Sequence, residues 1–173
     1  MADLVKRYDI DRFLVSAGTA VASAAAEAFI EEFPSTRSPL VLYGPPGAGK
    51  SHLLHAIGNA VAAGEKAARV LLLAPGGPGP EEGGPGPTLV LVDDVGPEHA
   101  AWLERMAARP GALWCWTTPT DPRGWPGPPE GLRAWVDQGR IMDLAPAGVE
   151  VLEALVDEWL DRRGGHLDAG LRA

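Results

Sequence analysis

The 173 residues suit a single domain, and a hydrophobic fraction of 46% is enough to bury a core. The formal net charge of −8 argues against a surface that wraps nucleic acid. The 22 glycines and 17 prolines are clustered rather than periodic, which excludes collagen and predicts long loops.

The one cysteine, Cys115, allows no intrachain disulfide and no cysteine zinc site. Within its apolar run it reads as a buried thiol rather than a reactive one. No signal-peptide core follows Met1-Ala2-Asp3-Leu4-Val5-Lys6-Arg7, and no stretch of about 20 apolar residues occurs. A cytoplasmic protein without a membrane segment is therefore expected.

Residues 1–16 form an arm whose apolar points, Tyr8, Ile10, Phe13 and Val15, suggest an extended segment lying on the domain. Ala17 to Phe33 is alanine-rich and reads as a helix ended by Pro34. Leu40-Val41-Leu42-Tyr43 is a strand, and Lys50 to about Ala63 is a helix stopped at Gly64. Val70-Leu71-Leu72-Leu73-Ala74 is a continuous apolar run, as in a parallel strand buried on both faces.

Pro75 to Pro87 holds only glycine, proline and Glu81-Glu82, so it forms no helix. It reads as a disordered surface loop, or as an edge of the sheet that another segment or another protein covers. Thr88 to Val92 is the third strand, ending in Asp93-Asp94. Pro97 opens a helix to about Ala108, with Trp102, Leu103 and Met106 inside. Ala112 to Thr117 is the fourth strand. A Pro/Gly-rich loop follows, in which Trp125 either anchors a partner or pins the loop to its own domain.

A short helix is expected over Glu130 to Val136, and Arg140 to Leu144 is the fifth strand. The last helix runs from after Pro146 to about Arg163, stopped by Gly164-Gly165. Leu152, Leu155, Val156, Trp159 and Leu160 lie on its apolar side, with Glu150, Glu153, Asp157 and Asp161 outside. Strands alternating with helices predict an α/β three-layer sandwich around a five-stranded, mostly parallel sheet.

Gly44-Pro45-Pro46-Gly47-Ala48-Gly49-Lys50-Ser51 fits G-x-x-x-x-G-K-[ST] between a strand and a helix, the context of a phosphate-binding loop. Glycine permits the tight curve that turns backbone N–H groups towards phosphate, and the helix adds the positive end of its dipole. Lys50 is placed to reach the β- and γ-phosphates and Ser51 to ligate Mg2+. Asp93, at the C-terminal edge of its strand, is the natural partner of that metal, and Asp94 is placed to orient a water. A helix cap or turn is the structural alternative for this pair. If the fourth strand lies between the first and third, Thr117 or Thr118 faces the γ-phosphate side and distinguishes ATP from ADP. His52 and His55, three apart on the helix, lack a third ligand for a metal.

These residues resemble the AAA+ ATPase domain of the bacterial replication initiator DnaA and of its shorter relatives, Hda and the helicase loaders. The likeness is specific over Leu40 to Asn59, especially Gly49-Lys50-Ser51-His52-Leu53-Leu54-His55-Ala56-Ile57-Gly58-Asn59. It is looser in Tyr8 to Val15, in Asp93-Asp94, in Thr117-Thr118-Pro119 and in Arg140 to Pro146.

The resemblance implies a P-loop nucleotide-binding domain over residues 1–146 and a much reduced helical lid over 147–173. It implies bound ATP or ADP with Mg2+, held by Gly44, Pro45, Pro46, Gly47, Ala48, Gly49, Lys50, Ser51 and His52. Val15 belongs to the lead-in that helps enclose the adenine. Lys50, Asp94 and Thr117 would carry catalysis, with Ser51 and Asp93 at the metal.

The chain departs from the family in three places. Pro75 to Pro87 replaces helical sequence. Trp135 stands where the family places the arginine that reaches a neighbour's ATP, so hydrolysis should be slow. Few residues remain for a lid arginine, and no motif picks among Arg162, Arg163 and Arg172.

The expected setting is replication initiation, its regulation or helicase loading, with weak or partner-dependent ATPase activity. The expected protein partner is an initiator, a helicase, a clamp or a second copy. The alternative is a non-enzymatic adaptor or scaffold built on a degenerate P-loop. Direct DNA binding is not expected, because only Lys6-Arg7-Arg12, Lys66-Arg69 and Arg162-Arg163 support it.

Overall fold

The computed structural model describes residues 3–36, 38–64, 68–80, 86–109, 111–146 and 148–161. The expectations on Arg37, Lys66, Glu81-Glu82, Pro110, Arg162, Arg163, the Gly164-Gly165 stop and Arg172 lie outside these residues. So do those on the side chains of Glu150 and Asp161.

Five parallel strands form one sheet: β1 (Leu40–Tyr43), β2 (Arg69–Leu73), β3 (Thr88–Val92), β4 (Ala112–Thr118) and β5 (Arg140–Asp143). Their order across the sheet is β2-β3-β4-β1-β5. The central strands are apolar over residues 40–42, 89–92 and 112–116 because both faces are covered. Leu40, Leu42, Leu89, Leu91, Leu113 and Cys115 face α1 (Ala20–Glu32) and α2 (Lys50–Ala63). Val41, Val90, Val92, Trp114 and Trp116 face α3 (Ala100–Ala107) and α4 (Glu130–Asp137). The layers differ in character, aliphatic on the first face and tryptophan-rich on the second. α5 (Val149–Asp161) closes the described chain. Among the described residues no helix is long and apolar enough to cross a membrane.

Three elements differ from their sequence reading for local reasons. The arm is not extended throughout. Asp9 Oδ1 accepts the N–H of Asp11 and caps a 3-10 turn over Ile10–Arg12, which delivers Phe13 to the core. α1 begins three residues late, because residues 16–19 form a turn in which Ser16 N–H donates to Thr19 Oγ1 at 2.9 Å. Gly18 is required in that turn, since a Cβ there would lie 2.6 Å from Ala145 Cβ. α3 is preceded by a separate 3-10 turn at Pro97–His99.

The described part of the Gly/Pro crossover lies against α3. Trp102 Nε1 donates to Gly77 O at 2.7 Å and Arg109 Nη1 to Pro80 O at 2.9 Å. Gly79 permits the approach, because a Cβ there would meet Met106 Sδ at 2.6 Å. Trp125 pins its loop to its own domain: it is buried, tilted against Trp116 at 5.8 Å, and its Nε1 donates to Thr120 Oγ1. Cys115 is fully buried, and burial pushes its thiol pKa well above the ordinary value.

Candidate functional site

The Gly44–Lys50 loop leaves the C-terminal end of β1 and turns into α2. Gly44 sits where no other residue fits. A Cβ there would lie 2.2 Å from Leu144 O, and its φ is 150°. Gly47 and Gly49 take left-handed φ values of 81° and 91°, and nothing lies within 4 Å of a Cβ built on Gly47. The loop is therefore curved by its glycines and open on its outer side.

The first hydrogen bond of the α2 start is Leu53 N–H to Gly49 O at 3.0 Å. The N–H groups of Lys50, Ser51 and His52 precede it at the positive end of the helix. Lys50 Nζ lies over the loop and donates to Gly44 O at 2.7 Å and Pro45 O at 2.9 Å. One of its three protons is left over, and both carbonyl contacts are at the loop mouth, where phosphate oxygens would exchange with them. The donor set suits a polyphosphate.

The acidic side of the site is built by strand pairing. The β3–β4 register sets Val92 beside Trp116, so Asp93 and Thr117 come next to each other. The Thr117 hydroxyl donates to Asp93 Oδ1 at 2.5 Å and accepts the N–H of Asp94 at 2.8 Å. Thr117 is fully buried, so its hydroxyl orients the two acids instead of facing solvent. Asp94 is exposed and has φ 57°, the one left-handed non-glycine among the described residues. The hydroxyl of Thr118 turns away and donates to Thr120 O. Ser51 is exposed at the start of α2. Among the described residues no group of three His, Cys, Asp or Glu is set to hold a metal. Mg2+ fits such a place when one carboxylate and one hydroxyl share it with phosphate oxygens and water.

Beside the loop lies a cavity of about 90 Å3. Gly47, Gly49 and His52 form one wall, Phe13, Leu14 and Ser16 of the arm a second, and Val151 and Leu155 of α5 a third. His52 stacks on Tyr8 at 4.5 Å and meets the edge of Phe13 at 5.5 Å. Burial lowers the His52 pKa, the Asp9 backbone opposes this, and His55 adds to the lowering. His55 Nδ1 accepts the N–H of Val5, while Asn59 Nδ2 donates to the carbonyls of Val5 and Tyr8, so α2 holds the arm in place. Burial also lowers the His55 pKa, with Asp93 working against it.

The structure thus gathers Gly44, Pro45, Pro46, Gly47, Ala48, Gly49, Lys50, Ser51 and His52 in one loop and helix start, with Thr117 on the adjacent strand and Asp93 and Asp94 at the end of the strand beyond it. Val15 stands apart, 56% exposed and off the cavity wall. Its neighbours Phe13, Leu14 and Ser16 line the cavity instead. Phe13 and Leu14 belong to the Tyr8–Val15 lead-in that the resemblance set beside the adenine, whereas sequence reasoning did not single out Ser16, Val151 or Leu155 for the site. The apolar periodicity of α5 marked a buried side without saying what it would meet.

Comparison with known proteins gives a consistent result. The family model described as "Bacterial DnaA ATPAse domain" matches residues 4–76. The chromosomal replication initiator protein DnaA of Roseiflexus castenholzii is 49% identical over 55 residues, 32% of this chain and 12% of that protein. The match therefore spans a small part of that relative's length. Domain III of the Thermotoga maritima replication initiation protein DnaA superposes with a TM-score of 0.77 at 20% identity, covering 98% of this chain and 80% of that one. AMPPCP-bound DnaA from Aquifex aeolicus gives 0.71 at 18% identity, covering 98% and 59%. The sequence likeness to DnaA lies within residues 4–76, while the fold of DnaA domain III extends over nearly the whole chain.

Proposed function

We propose that this chain binds ATP or ADP with Mg2+ at the Gly44–Ser51 loop and acts through protein contacts in replication initiation, its regulation or helicase loading. Residues 1–146 form the nucleotide-binding domain, and residues 147–173 are the remnant of a lid. The observation that carries the reading is the loop itself: left-handed Gly47 and Gly49, an open outer face, and the Lys50 ammonium at its mouth. The Aquifex relative that shares the fold holds AMPPCP, an ATP analogue.

In this reading Lys50 and the first N–H groups of α2 hold the phosphates, and Phe13, Leu14 and His52 bound the space for the base. Ser51 and Asp93 would hold Mg2+, which neutralises phosphate charge when bound. Asp94 orients the attacking water, and Thr117 keeps Asp93 and Asp94 in position. The partner is a protein, and the setting is the cytoplasm.

Titration with ATP and ADP, with and without Mg2+, tests the reading against Lys50→Ala. Binding that requires Mg2+ and is lost in the variant is expected. Equal behaviour of the two proteins would sink the proposal.

A second reading, a nucleotide-holding adaptor that does not turn over, is favoured by Trp135. This residue is partly buried, packs edge-on against Trp114 at 6.1 Å and lies against the core of its own domain. Turnover that rises with protein concentration supports the ATPase. Nucleotide that stays bound without turnover supports the adaptor.

A further inference from the structure

A cavity of about 290 Å3 opens at the end of the sheet opposite the glycine loop. The loop leaves the C-terminal end of β1, whereas this cavity sits where β3 and β4 begin, with Thr88 beside Ala112. The strands are parallel, so these are opposite edges and the cavity is no part of the nucleotide site.

Its walls are aromatic and cyclic. Phe33 and Pro34 come from the end of α1, Pro87 from the entry to β3, Trp114 from β4 and Trp135 from α4. Trp135 meets Trp114 edge-on, with ring planes at 86° and centroids 6.1 Å apart, so the two indoles form a right-angled corner. In such a corner a flat ring lies against one indole and turns its edge to the other.

Arg109 is the one ionisable residue among those that line the cavity. Its guanidinium is held in place. Nη1 donates to Pro80 O at 2.9 Å, and Gly79 passes so close that a Cβ there would lie 2.9 Å from Arg109 Cζ. That hydrogen bond uses one of five N–H donors. No carboxylate in the lining balances the charge. Trp114 adds a second donor. It is 2% exposed, and its indole N–H has no acceptor among the described residues. Buried donors are paired as a rule, so this one calls for an acceptor.

Size, charge and donors together select an occupant. The volume lies at the lower limit for small-molecule pockets, which suits one or two fused rings rather than a nucleotide. Arg109 would repel an ammonium, and a neutral ring would leave the guanidinium without an anion. A carboxylate matches the planar fork and supplies acceptors.

We propose that this cavity binds a small aromatic carboxylate, with its ring in the Trp114–Trp135 corner and its carboxylate on Arg109. The site stands or falls independently of the nucleotide loop.

The probes are naphthoate, naphthamide and naphthylmethylamine, which share a ring and differ in charge. Each is titrated into the full chain by isothermal calorimetry, and naphthoate is also followed by NMR of the indole N–H resonances. Two variants locate the binding. Arg109→Gln removes the charge and keeps a donor for Pro80 O. Ala107→Met narrows the cavity from the last turn of α3 and keeps Arg109. Circular dichroism checks the fold of both, and where one fails to fold the other decides. Naphthoate should bind at least about tenfold more tightly than naphthamide, because a hydrogen bond to a charged group exceeds a neutral one, and the amine should bind most weakly. Arg109→Gln should bring naphthoate down to the affinity of naphthamide and leave naphthamide unchanged. Ala107→Met should weaken both. The Trp114 indole N–H resonance should move as naphthoate is added. Equal binding of acid and amide, naphthoate binding undiminished in either variant, or no binding at millimolar naphthoate overturns the site.

Discussion

Replacing Thr117 with valine tests whether this hydroxyl is what holds the two acids. The change keeps the side chain's shape and removes the oxygen that donates to Asp93 and accepts from Asp94. A hydrogen bond to a charged group contributes about 1.5–3 kcal/mol and a neutral one about 0.5–1.5 kcal/mol. Asp94 is exposed, so water recovers part of the second loss, and the expected cost is about 2–3 kcal/mol. For a domain of this size that lowers Tm by roughly 4–12 °C. Thr117→Ser keeps the hydroxyl and gives up one methyl, for about 1 kcal/mol. Urea unfolding followed by circular dichroism gives both numbers, and Mg2+-dependent ATP affinity supplies a readout that packing alone would not move. Valine should weaken that affinity, and serine should restore most of it. A valine variant within about 0.5 kcal/mol of wild type, or one with unchanged ATP affinity, would refute the positioning role.

Acid should loosen the arm. His52 and His55 both have pKa values below the ordinary 6.5, burial being the largest cause, so the unfolded chain takes up their protons first. Their contribution is complete above pH 6.5 and is lost as pH falls through that value towards the folded pKa values. Protonation also removes the Nδ1 acceptor that Val5 uses, so His55→Asn should flatten the unfolding profile between about pH 7 and 5. Gly44→Ala should cost on the order of 3 kcal/mol or more in urea unfolding, because its Cβ would strike Leu144 O. Gly47→Ala meets open space and pays only for its left-handed backbone, about 1–2 kcal/mol. Comparable losses in the two would contradict the loop geometry. Trp125→Ala should cost about 3–5 kcal/mol, read in the same assay, because the indole fills the space beside Trp116.

The parts of this fold that follow from local chemistry were legible in the sequence. Buried parallel strands must be apolar on both faces, and Leu40 to Tyr43, Val70 to Leu73 and Leu89 to Val92 read as such without a structure. The loop was legible because each of Gly44, Gly49, Lys50 and Ser51 answers a local demand. What depends on strand register was visible only as a possibility. Thr117 or Thr118 was expected on the γ-phosphate side if β4 lay between β1 and β3; β4 does lie there, and its pairing with β3 gives the Thr117 hydroxyl to Asp93 and Asp94. The cavity was less legible still, since Leu14 and Val151 meet from segments far apart in the chain. α5 shows the limit of periodicity, which marks one side as apolar but does not say whether anything covers it.

The two faces of the sheet point to what this domain keeps and what it gives up. The aliphatic face packs α2, and through it the glycine loop, Lys50 and the paired acids stand at one edge. The opposite face is filled with Trp102, Trp114, Trp116 and Trp125, against which Trp135 is set. By the family resemblance Trp135 occupies the place of an arginine that reaches out to a neighbouring subunit. An indole tied edge-on to Trp114 extends no charge to a neighbour. On the proposed function, a chain built this way would hold a nucleotide at its own loop while contributing no charge at that position to a partner's nucleotide. Trp135→Arg therefore separates two causes of slow turnover. If turnover rises with protein concentration in the variant and not in the wild type, the missing charge was limiting. If the variant stays slow, the limit lies in this chain's own proposed site.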